Sequence, residues 1–118
     1  MGKMRAMVLS ECAKIETNPL KSTIIDKHQI ERENEILLKI EACGVCHSQL
    51  HGIEGDWKHI GIPASLPIVP GHEVVGEIVE IGKKVTKFKI GDRAGITPLL
   101  EACKKCQYCD EGKEYLCE

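Results

Sequence analysis

The chain has 118 residues, of which 42% are hydrophobic and 29% charged, with a formal net charge of −2. That length holds one domain and not two, and the near-neutral balance gives no electrostatic reason to expect nucleic acid or anionic lipid as a partner. No apolar run approaches the ~20 residues that span a membrane.

In chain order, MGKMRAMVLSECAK carries basic residues but no long apolar stretch and no A-x-A-like cleavage site. It reads as a first strand rather than a signal peptide, which points to the cytoplasm, where thiols stay reduced. ETNPLKST reads as a turn or loop around Pro19. In NEILLKIEACG, Ile36, Leu38 and Ile40 recur at a spacing of two, interleaved with Lys39 and Glu41. That is the alternation of a half-buried strand, ending at Gly44. VCHSQLHGIEG begins a short helix with Ser48 and His51 at i, i+3. GDWKHIGIPASLPIVPG, with three prolines before Gly71, is an ordered loop.

HEVVGEIVEIG is the next strand, with Val75, Ile78 and Ile81 inward and Gly76 marking a bulge or a close backbone approach. KKVTKFKIGDRAGITP predicts a short strand, a Gly-Asp turn and another strand, and ACKKCQYCDEGKEYLCE is a cysteine-dense excursion. The sum is mainly β, a small barrel or sandwich of short strands.

Seven cysteines are an awkward number for a disulfide framework, and cytosolic cysteines at short spacings are more often metal ligands. Cys103, Cys106, Cys109 and Cys117 form C-x2-C-x2-C-x7-C. Four thiolates close a tetrahedral zinc shell and leave no open position, so such a site is structural; an iron–sulfur cluster is the competing occupant. Cys43-Gly44-Val45-Cys46-His47 reads C-x-x-C-H, a pattern shared by c-type haem anchors, redox dithiols and zinc ligands. Cys46 and His72 follow and precede strands, so one thiolate and one imidazole can meet at a metal open to substrate. Ser48 and His51 can pass a proton towards water.

CGVCHSQLHG, the Gly-His-Glu of PGHEVVG, the Gly-Asp-Arg at 91–93 and the four-cysteine tail, in that order, resemble the N-terminal catalytic domain of the zinc-dependent medium-chain alcohol dehydrogenases, over nearly the whole chain. The resemblance implies a GroES-like β-barrel with short helices, occupying 1–118, and a small zinc-binding lobe at about 97–118. Cys46 and His72 would bind a catalytic zinc, with Glu73 as a neighbouring or alternative ligand. Cys43 would be a packed thiol, and His47 would lie near the coenzyme pyrophosphate. Ser48 and His51 would be the proton relay, and Trp57 would line the substrate pocket. Cys103, Cys106, Cys109 and Cys117 would hold a structural zinc. Gln49 departs from the family's frequent Asp, which accepts a hydrogen bond from the zinc-ligand histidine.

The implied reaction is hydride transfer between a primary or secondary alcohol and NAD or NADP through a zinc-bound alkoxide, with an aldehyde or ketone as product. The same resemblance sets aside the haem and dithiol readings of C-x-x-C-H. No G-x-G-x-x-G follows a strand and there is no βαβ unit, so a Rossmann coenzyme domain and the third catalytic-zinc ligand are expected outside these residues. The chain is therefore read as a truncated enzyme, inactive by itself, whose exposed strand edges favour a homo-oligomer. A non-catalytic zinc-stabilised β module for self-assembly or partner binding is the alternative.

Overall fold

The computed structural model describes residues 2–99 and 101–117. Met1, and Leu100 and Glu118 of the expected zinc lobe, lie outside the described residues. Strands β1 (Lys3–Leu9), β2 (Leu20–Asp26), β3 (Ile36–Cys43), β4 (Val74–Ile81) and β5 (Arg93–Ile96) dominate, with helix α1 (His47–Glu54) and the one-turn helix α2 (Gln107–Asp110). The mainly β class is as expected. Among the described residues the strands form a two-stranded sheet, β1-β2, and a three-stranded sheet, β3-β4-β5, all neighbours antiparallel. A bridge joins the first sheet to the long loop: Leu9 N–H donates to Ile68 O at 2.8 Å and Ile68 N–H to Leu9 O at 2.9 Å.

β1 alternates exposed and covered side chains and ends in buried Leu9. In β4, Ile78 is fully buried while Val75 and Ile81 are half-buried, so the three residues expected inward are all at least partly covered. β2 begins inside ETNPLKST, the stretch read as a turn or loop, and runs three residues beyond it. LKSTIID has no alternation, and five of its seven residues are exposed. Its extended shape comes from its pairing with β1, from Lys3↔Asp26 to Leu9↔Leu20. The strand expected before the Gly-Asp turn does not form. The stretch 83–92 is turns and bends, and Gly91 N–H reaches Ile78 O at 2.9 Å while Ile78 N–H reaches Asp92 O at 2.8 Å. Ile40, expected inward, is 61% exposed.

Ile40 sits at an irregularity. The β3–β4 register slips between Ile40 and Ala42, opposite Gly76. A Cβ on Gly76 would stand 2.3 Å from the Lys39 carbonyl oxygen, far inside van der Waals contact with backbone that cannot swing aside. Gly76 is thus both the expected bulge and the expected close approach. Gly76→Ala is expected to lower stability by ~1–3 kcal/mol, the usual range for overpacking. A shift of the urea midpoint at constant slope measures it, and an unchanged midpoint contradicts the close approach.

α1 fits the predicted helix. Leu50 and Ile53 stand at i, i+3, and Ile53 is buried. The helix is clamped to the segment before β2. Glu54 Oε1 accepts from Ile15 N–H at 2.9 Å, Glu54 Oε2 pairs with Lys14 Nζ at 3.0 Å, and Ala13 N–H reaches Ile53 O at 3.1 Å. These bonds fix the helix that carries most of the candidate site.

Candidate metal centres

Register builds the first site. Cys43 pairs with Val74, and one residue further Gly44 N–H donates to Glu73 O at 2.8 Å. The end of β3 and the start of β4 therefore lie side by side, which brings Cys46 next to His72. A Cβ on Gly44 would meet Glu73 Oε2 at 2.4 Å, so a larger residue there would push the Glu73 carboxylate aside. Cys46 also stands at the N-terminus of α1, where Gln49 Oε1 accepts from its backbone N–H at 3.2 Å. That bond is half of a capping box. Gln49, noted as a departure from the family pattern, is engaged there.

The Cys46 sulfur, one ring nitrogen of His72 and a carboxylate oxygen of Glu73 all lie within 4.8 Å of one another. The Cys46 thiol is held below its ordinary value, first by the Ser48 hydroxyl, then by the Ser48 backbone N–H and by His72; lost hydration and the Glu73 charge oppose this. A thiolate-prone cysteine at a helix start, with an imidazole and a carboxylate alongside, is a donor set suited to zinc.

His51 is elsewhere on the helix. Its Nδ1 lies 2.9 Å from Asp56 Oδ2, its ring stacks on Trp57 with centroids 4.8 Å apart, and the His47 ring meets it edge-on at 4.7 Å. Of the expected relay pair, Ser48 thus faces the Cys46 sulfur and His51 faces Asp56. Asp56 was missed in the sequence; its only signal is a carboxylate five residues after His51. Cys43, expected to be packed, is exposed, because it lies on the outward stretch of β3. A groove of about 800 Å³ runs beside the site, lined by Cys46, His47, Gln49, Leu50 and Ile53 with other mostly apolar residues. Trp57 lies outside that lining.

The second site is the tail. The four sulfurs of Cys103, Cys106, Cys109 and Cys117 lie within 4.8 Å of one another, with Cys103 and Cys109 at 3.9 Å. Zn–S bonds of about 2.3 Å in a tetrahedron place sulfurs roughly 3.8 Å apart, so the cluster fits zinc. No disulfide joins any of the seven cysteines. The backbone folds back through Lys104 (φ 59°) and Gly112 (φ 71°), and Cys103 N–H donates to Cys117 Sγ at 3.2 Å.

Cys103 is pulled from an ordinary 9.0 to about 7, first by the Lys105 backbone N–H. Cys109 is pushed up to about 12, first by lost hydration. The metal-free cluster therefore gives up one proton readily and retains others. A depressed thiol stabilises the fold in full above about 9 and loses that contribution as pH falls through about 7. Zinc must displace every proton that remains. Its affinity for the lobe is expected to weaken by at least about tenfold per unit as pH falls below 7. Chelator competition at several pH values measures this, and a flat affinity contradicts it.

The family model for the alcohol dehydrogenase GroES-like domain matches residues 32–118. The chain belongs to this family. An alcohol dehydrogenase from Geobacillus stearothermophilus is 46% identical over 114 residues, covering 97% of this chain and 31% of the relative. The domain also superimposes on the structure of CAD from Helicobacter pylori complexed with NADP(H), at TM-score 0.71 and 34% identity, covering 97% of this chain and 31% of that one. Zinc dependent alcohol dehydrogenase 2 from Streptococcus pneumonia gives TM-score 0.73 at 29% identity, covering 98% of this chain and 30% of that one. The chain thus spans about a third of the length of these relatives. Among the described residues no helix is long and apolar enough to cross a membrane.

Proposed function

We propose that this domain is the zinc-binding part of an NAD(P)-dependent alcohol dehydrogenase that interconverts small primary or secondary alcohols with aldehydes or ketones. The observation that carries the reading is the convergence of Cys46, His72 and Glu73 within 4.8 Å beside a largely apolar groove. A dedicated structural site needs four closed ligands, whereas three donors leave room for substrate. Cys46 and His72 would hold the zinc, with Glu73 in reach as a third donor. Zinc bound there supplies Lewis acidity, which makes an alcohol hydroxyl easier to deprotonate.

The chain's own residues do the rest. The groove walls Leu50 and Ile53 bind the alcohol's carbon chain and exclude water. The Ser48 hydroxyl, which faces the Cys46 sulfur, orients the alcohol oxygen by hydrogen bonding. His51 accepts the proton, and His47, exposed at the groove, faces the coenzyme phosphates. The four-cysteine lobe would hold a second, structural zinc.

Cobalt(II) loaded in place of zinc tests this without turnover. A small alcohol is expected to change the part of the visible spectrum that is lost in a Cys46→Ser variant and to leave the lobe's part unchanged. A spectrum indifferent to alcohol contradicts an open site at Cys46 and His72.

A further inference from the structure

Two histidines of α1 stand one helical turn apart. His47 and His51 are at i, i+4, a spacing that puts both side chains on one face of the helix. It is also the spacing at which two helical histidines share a single metal ion. The fold brings these two rings together: their centroids are 4.7 Å apart, with the ring planes at 80°. With metal–nitrogen bonds of about 2.0 Å and each ring centre about 1.1 Å behind its nitrogen, imidazoles at 90° around one ion have centroids about 4.5 Å apart, and at the tetrahedral angle about 5.1 Å. The observed separation is nearer the first value. Right-angled neighbours belong to the square-planar and tetragonal shells of copper(II) and nickel(II), whereas zinc takes a tetrahedron.

The pair is held in place and open to water. His51 Nδ1 is engaged by Asp56 Oδ2 at 2.9 Å, which leaves Nε2 for an ion, and histidine ligands ordinarily give their other nitrogen to such an acceptor. Trp57 stacks on the His51 ring with centroids 4.8 Å apart. His47 is exposed, so water can complete the shell of an ion held by two protein nitrogens. Neither histidine belongs to the two clusters of converging donors at Cys46 and in the tail. We propose that His47 and His51 form a third metal site, a surface chelate for a divalent transition ion of the copper(II) or nickel(II) type. An ion bound there takes the Nε2 lone pair of His51 and so removes the proton acceptor of the proposed reaction. That consequence rests on the reading of His51 as proton acceptor; the site itself does not.

Calorimetric titration of the zinc-loaded protein with nickel(II), followed by metal analysis, tests the site. One nickel per chain is expected, bound without loss of zinc. Its affinity should fall by about a hundredfold in His47→Asn and in His51→Asn, because two linked donors gain an effective concentration that one imidazole lacks. His59→Asn is the control. It removes an exposed imidazole of the following turn, whose Nδ1 faces the Asp56 backbone oxygen at 3.1 Å, and it should bind nickel as the parent does. Nickel also reports its own position, since its unpaired electrons should broaden the ring protons of His47 and His51 before those of His28 and His59. That readout needs no variant. Nickel taken up only in exchange for zinc, parent affinity in His47→Asn, or broadening that starts at His59 or His72 overturns the proposal. Zinc content before the titration tests the reading of Cys46 and His72 separately.

Discussion

A Cys103→Ser variant is expected to lose one zinc per chain and the fixed structure of the lobe, while the two β-sheets persist. The lobe has almost nothing else to hold it. Among the described residues its regular structure is the single turn of α2 and a three-residue 3-10 turn, Glu114–Leu116, and neither contains a buried residue. Tyr115 is 72% exposed. Zinc binding at structural sites contributes on the order of 10–16 kcal/mol of apparent free energy, far more than one helical turn provides. With the Cys103 sulfur gone, the shell has three sulfurs, and the backbone N–H of residue 103, which still donates to Cys117 Sγ, cannot replace a metal bond. Metal analysis and tryptic digestion at Lys104, Lys105 and Lys113 follow the change, which should bring rapid cleavage in the variant and slow cleavage in the parent. Cys43→Ser, at an exposed thiol outside both clusters, should keep both the metal and the resistance. A Cys103→Ser protein with unchanged zinc and unchanged digestion would rule out a four-thiolate site.

His72→Ala acts on the other centre. It leaves Cys46 and Glu73 as the two remaining donors of the cluster and removes the only imidazole among them, which weakens the hold on zinc and alters its open position. Lewis-acid stabilisation is worth several kcal/mol, and each 1.36 kcal/mol is tenfold in rate. In a dehydrogenase that carries this domain, kcat is expected to fall by about a thousandfold or more, with the lobe's zinc retained. Steady-state coenzyme reduction measures the loss, and metal analysis assigns it to one site. A variant that keeps its kcat would show that His72 is not a ligand. The two substitutions should thus separate cleanly, one removing order from the lobe and the other removing chemistry from the groove.

Legibility in the sequence followed the physics of each element. β1 and β4 were readable as short apolar stretches that suit strands, and Leu9 and Ile78 are indeed buried. Gly76 was readable because a glycine inside a strand costs stability unless backbone approaches it, as Lys39 does. β2 was not readable, since a mostly exposed strand leaves no hydrophobic pattern and exists through its ladder to β1. Ile40 and Cys43 were misjudged for a related reason. The slip in register opposite Gly76 changes which side chains of β3 are covered, and a slip cannot be seen in one strand alone. The cysteine tail announced itself by spacing. The meeting of Cys46 with His72 did not, because 26 positions separate them and only the β3–β4 register closes the gap. Motif order and family resemblance substituted for that register. Asp56 had no such help, since a carboxylate five positions from a histidine is common on any polar loop.

The measurement to make first is the zinc and iron content per chain, by mass spectrometry on protein purified without chelators, beside a visible absorbance scan. About two zinc ions per chain, no iron and no visible band is the expected result, because both donor clusters are already assembled. Iron with visible absorbance and no zinc would contradict it, and would return the four cysteines to a cluster and C-x-x-C-H to a haem anchor.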